Sequence, residues 1–126
     1  MIKIVSIEEF TEILNELSDE IDEKFYQNLN LGIRVDENEK FHPEGTDDDL
    51  LILGEYQVDM LGRGIVIYYG SFMDMYSFLD REELKNKVRE TFRHELLHHL
   101  ENLANLKDLE VEDEKFLEEY KKEKAE

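Results

Sequence analysis

The chain contains no cysteine, one proline and few basic residues. The missing cysteine excludes disulfides and thiolate zinc sites, so any metal must be held by histidine and carboxylate. Lys and Arg total 15 against 33 Asp and Glu, a net charge of −18. A surface that acidic repels phosphate backbones and anionic bilayers, which argues against nucleic-acid and membrane partners. No stretch approaches the roughly 18 apolar residues of a membrane span. Met1-Ile2-Lys3-Ile4-Val5 is too short for the apolar region of a signal peptide, and Glu8 and Glu9 soon follow. The expectation is a cytosolic protein. Internal repeats and linkers are also lacking, and 40% of the 126 residues are hydrophobic. That predicts one domain over residues 1–126, with a frayed Lys/Glu tail from about residue 121.

Ser6 followed by Glu9 is a capping-box signature, and Ile7, Phe10, Ile13, Leu14 and Leu17 recur at helical spacing. A first helix is therefore expected over about residues 7–19, and a second, shorter one over 21–29, ending near Gly32. Residues 38–49 are polar and hold Pro43 and Gly45, which reads as a loop. Residues 50–56 and 64–70 are rich in β-branched and aromatic side chains and read as strands, with a turn at 60–64 between them. Residues 32–35 are a candidate third strand. Asp80 is a candidate N-cap for a long helix whose stripe is Leu84, Val88, Phe92, Leu96, Leu100 and Leu103. Asn105 reads as its stop. Val111, Phe116, Leu117 and Tyr120 suggest a last helix. The fold class is α+β: N-terminal helix, short and mostly antiparallel sheet, long helix and C-terminal helix.

The long helix carries His94-Glu95-Leu96-Leu97-His98-His99, with three of the four histidines of the chain. At i and i+4, His94 and His98 project from one helix face, where both rings can hold one metal ion. Glu95 follows the first ligand and can take a proton from an attacking water. The bland reading is a pair of ordinary surface histidines. H-E-x-x-H arises by chance in about a few chains per thousand of this size, and many such hits would fall in loops. This one lies inside an independently supported helix. His99, at i+4 from Glu95, orients the base or hydrogen-bonds a substrate carbonyl, or else packs against the sheet as a helix-flank histidine. The Tyr68-Tyr69 pair offers a phenol for an oxyanion or, more simply, strand packing. Arg93 fits a pair with surface acids.

A zinc site with one open position needs a third protein ligand. His42 lies upstream, and Asp108, Glu110, Glu112, Asp113 and Glu114 lie downstream. At about 1.5 Å per residue, Asn105 lies roughly 10 Å beyond His98, so the chain must turn and come back. Asp108 is only three residues past that turn. Asp113 is far enough along to return to the level of the two histidines and is the favoured ligand over Asp108, Glu110 and Glu112. The bland reading of each acid is a solvated charge in an acid-rich tail.

At this point the chain resembles a small bacterial family of zinc metallopeptidases with a minimal zincin-like fold, marked by H-E-x-x-H-H. The likeness rests on Leu51-Ile52-Leu53-Gly54-Glu55-Tyr56, on Ile65-Val66-Ile67-Tyr68-Tyr69-Gly70-Ser71-Phe72, on Arg93 through Glu101, and on Asp108-Leu109-Glu110-Val111-Glu112-Asp113. It implies a short sheet packed on the motif helix, with an edge strand that aligns an extended peptide. It also implies zinc at His94 and His98 with Glu95 as base. Many family members place a glycine soon after the histidine pair and then an aspartate ligand. Here Glu101 occupies the glycine place, and Ala104 stands about where the aspartate would fall.

The leading expectation is thus a zinc-dependent peptidase acting on a peptide or protein substrate. The alternative is a non-catalytic metal-binding interaction module with an acidic surface. A hydrolase acting on a non-peptide amide is a weaker third reading.

Overall fold

The structure, a computed structural model, describes residues 5–43 and 50–125, with side chains up to residue 106. Helix α1 (Ile7–Asp19) starts as the capping signature predicts, the Glu9 N–H donating to Ser6 Oγ at 3.1 Å. Phe10, Ile13, Leu14 and Leu17 form its buried face.

The expected second helix is reduced to a single 3-10 turn, Glu23–Tyr26. Asp22 caps it through the Lys24 N–H at 3.0 Å, and Asn28 then adopts a φ of 66°. Asparagine tolerates that left-handed conformation, and it ends the helical path. Gln27 is left outside the turn, with its carbonyl free for a tertiary partner.

Strand β1 (Gly32–Asp36) pairs parallel with β3 (Gly62–Tyr68), and β2 (Gly54–Asp59) pairs antiparallel with the same strand. The order is β1-β3-β2, so the three-stranded sheet is mixed and β2 is an edge. The β2–β3 turn falls within the expected residues 60–64 but is shorter, since β3 already begins at Gly62. Asp59 Oδ1 accepts from the N–H groups of Leu61 and Gly62 at 2.8 and 3.2 Å, which closes the hairpin at Met60-Leu61. Gly62 has φ 143°, a conformation that only glycine adopts freely. Residues 50–53 precede the strand, and Leu51 forms an isolated bridge with Phe41.

Helix α2 (Tyr69–Tyr76) follows β3 directly, where the sequence showed only an apolar cluster. Helix α3 (Arg81–Ala125) begins as expected, with the Glu83 N–H donating to Asp80 Oδ1 at 2.8 Å. Its end differs. The expected stop at Asn105 and the separate C-terminal helix are replaced by one unbroken 45-residue helix. Residues 100–125 contain neither glycine nor proline, so nothing in them breaks the hydrogen-bond ladder.

The core joins α1 to Ile65 and Ile67 of β3, Phe72 of α2, and Leu84, Val88, Phe92 and Leu96 of α3. Arg81, Lys85, Arg89 and Arg93 of α3 face Glu9, Glu16 and Glu20 of α1 in ion pairs of 3.0–3.6 Å. These pairs at the protein surface are screened by solvent, so they register the two helices more than they stabilise them. Among the described residues, no helix is long and apolar enough to cross a membrane.

Candidate metal centre

The phase of α3 fixes what each motif residue meets. Residues advance about 100° around a helix, so His94 stands about 200° from Phe92 of the core stripe. His94 and His98 are exposed as a result, and their Nε2 atoms face each other at 3.0 Å. Ligand atoms of His94, Glu95 and His98 all lie within 4.8 Å of one another. Two nitrogens on a tetrahedral zinc ion, each about 2.0–2.1 Å from it, stand about 3.3 Å apart, so a small ring rotation accommodates the ion. The two imidazoles therefore fit as two of the ligands of a zinc ion.

Glu95 sits on the core-side flank, with only 8% of its surface exposed. Burial pushes its carboxyl above the usual carboxylate range, and the nearby Glu55 adds to this. The imidazoles of His98 and His94 and the backbone N–H of Tyr56 pull it back. That N–H belongs to β2, so the edge strand itself holds the carboxylate. Gly54 lets the strand come this close: a Cβ there would meet Thr91 Cγ2 of α3 at 2.9 Å. Two shallow clefts meet at Glu95. One, of about 330 Å³, runs past Tyr56, His98, Glu101 and Asn102. The other, of about 460 Å³, runs past Leu51–Gly54 and His94.

His99 is fully buried. Its Nε2 lies 2.8 Å from the Gln27 carbonyl and its Nδ1 lies 2.8 Å from the Tyr56 hydroxyl. A carbonyl only accepts, so the geometry assigns the proton to Nε2, and Nδ1 accepts the Tyr56 O–H. Beside it, Asn102 Oδ1 accepts from Arg63 Nε at 2.8 Å. With both ring nitrogens engaged, His99 ties α3 to β2 and to the 3-10 turn. Its surroundings fit the packing reading rather than contact with a substrate carbonyl.

The other sequence candidates go elsewhere. The Tyr68 hydroxyl donates to Glu55, and that of Tyr69 donates to the Val5 carbonyl. Arg93 pairs with Glu20 at 3.6 Å. Among the described residues, the grouped metal-ligating side chains are His94, Glu95 and His98, and His42 is not one of them. The side chains of Asp108, Glu110, Glu112, Asp113 and Glu114 lie outside the described residues. The return path that favoured Asp113 is absent, because α3 does not turn. On an unbroken helix, residue 113 stands about 22 Å beyond His98 along the axis.

Sequence reasoning missed Tyr56, which serves the site twice, through its backbone and its hydroxyl. One signal was available. Alternation in β2 puts Tyr56 on the face opposite Glu55 and Gln57, and therefore toward α3.

A family model described as zincin-like metallopeptidase matches residues 29–115. Among solved structures, a conserved hypothetical protein from Thermo thermophilus is 34% identical, with a TM-score of 0.69. The alignment covers 79% of this chain and 98% of that one. No curated protein matches.

Proposed function

The chain belongs to the zincin-like metallopeptidase family, and we propose that it is a zinc peptidase in which His94 and His98 hold the metal and Glu95 is the general base. One observation carries this reading. Two imidazole nitrogens converge at 3.0 Å beside a buried carboxylate, next to the edge strand of the sheet. Bound there, zinc would supply a Lewis acid that polarises the scissile carbonyl and acidifies water. The raised affinity of Glu95 for protons suits it to take one from the attacking water and pass it to the leaving amine. The edge of β2 can align an extended peptide across both clefts through main-chain hydrogen bonds. Clefts this shallow favour narrow specificity and slow turnover of generic peptides.

A second reading, a metal-binding module without catalysis, is favoured by one observation: among the described residues, no third protein ligand joins the two imidazoles and Glu95. Glu95→Gln separates the two. The peptidase reading expects zinc content to stay near wild type while hydrolysis of a peptide library falls at least about 100-fold. Equal hydrolysis by both proteins would exclude Glu95 as the base. A wild type that binds zinc and cleaves nothing would favour the module.

A further inference from the structure

Glu101 follows the motif on the same helix, and its carboxylate is turned toward it. Its Oε2 lies 3.7 Å from Nδ1 of His98, while Nε2 of the same ring faces His94. The two nitrogens of His98 thus have separate neighbours, a carboxylate behind and the paired imidazole in front. Glu101 is one turn on from His98, at i+3, so the unbroken helix keeps the carboxylate within reach of that ring. Glu90, one turn before His94, is paired instead with Lys87 at 3.8 Å.

We propose that Glu101 is a positioning residue for the metal centre: a small side-chain rotation from its 3.7 Å separation lets it accept the Nδ1–H of His98, which fixes the tautomer with Nε2 free to ligate. This rests on the zinc reading above. A ligating imidazole normally donates its other N–H to a carboxylate or carbonyl, which holds the ring and raises its basicity. In this chain, a residue outside the motif supplies that partner. The oxygen lies on the Nδ1 side of the ring, which suits it to accept from His98 rather than to bind the ion itself.

The test is zinc affinity by competition with a chromophoric chelator, for wild type, Glu101→Gln, Glu101→Ala and the charge control Glu90→Gln. The expected order is wild type, then Glu101→Gln, whose amide oxygen can still accept, then Glu101→Ala at about 10-fold weaker binding. Glu90→Gln should bind as wild type does. Ring nitrogen shifts in the zinc-loaded wild type should show His98 ligating through Nε2 with Nδ1 protonated. Equal weakening by Glu90→Gln would reduce the effect to net charge and overturn the proposal. Unchanged affinity in Glu101→Ala, or ligation through Nδ1, would also overturn it. A wild type that takes up no zinc sinks the zinc reading and this inference together, whereas the other failures leave the zinc reading standing.

Discussion

His98 and His99 are adjacent in sequence and meet opposite surroundings. His98 lies on the exposed flank of α3 with Nε2 turned to His94, and its side chain is 45% exposed. His99 lies on the buried flank, clamped between the Tyr56 hydroxyl and the Gln27 carbonyl. One residue step rotates a side chain by about 100°, enough to carry it from solvent into the core. The same residue type can therefore serve a metal on one flank and hold the scaffold on the other. Glu95 stands between them, buried like His99 and close to the paired imidazoles like His98.

The sharpest way to break this contrast is to remove each histidine in turn. His98→Ala is expected to abolish zinc binding and leave the melting temperature of the metal-free protein nearly unchanged. His99→Ala should cost about 3 kcal/mol or more, from a cavity and two buried partners left unpaired. That would lower the melting temperature by roughly 10 °C. Zinc titration and thermal circular dichroism read both variants. If His99→Ala melted like wild type and lost zinc instead, the division between flanks would be wrong.

Tyr56→Phe should have a smaller effect. It removes the donor to His99 and keeps the backbone N–H that holds Glu95, so stability should fall by about 1–2 kcal/mol with zinc affinity retained. Loss of zinc in this variant would mean that the hydroxyl, rather than the backbone, shapes the centre.

The smallest effect concerns the residue between the flanks. Burial raises the Glu95 pKa above its ordinary 4.5. The folded state then binds the proton more tightly than the unfolded chain does. The stability contributed by the protonated form is full below pH 4.5 and is lost as pH rises through the folded value. Metal-free Glu95→Gln should therefore be more stable than wild type at neutral pH, with the gap closing as pH falls toward 4.5. A gap that stays constant across that range would mean that the carboxylate is not strained by its burial.

Much of the fold was legible in the chain. Ser6 and Asp80 both cap helices, at positions their side-chain chemistry indicates. The stripe from Leu84 to Leu96 gave α3 its buried face, which set His94 and His98 outward. The second helix was overcalled because apolar spacing over residues 21–29 hid the turn at Asn28, whose φ of 66° depends on the packing around it. The β2–β3 turn was drawn too long because composition gave no weight to the Asp59 side chain that closes it at Met60-Leu61. Asn105 was overrated as a stop, since asparagine alone, with no glycine or proline after it, leaves the helical ladder intact. The choice of Asp113 depended on that stop.

By itself the sequence determined the pairing of His94 with His98 and the placing of Glu95 beside them, because these are relations within one helix, set by the helical period. Only the tertiary structure decided that His99 is taken by Tyr56 and Gln27, that β2 delivers a backbone N–H to Glu95, and that two clefts meet there. Those contacts join residues tens of positions apart, and their geometry is fixed by how closely a strand edge can approach a helix, which local pattern does not encode.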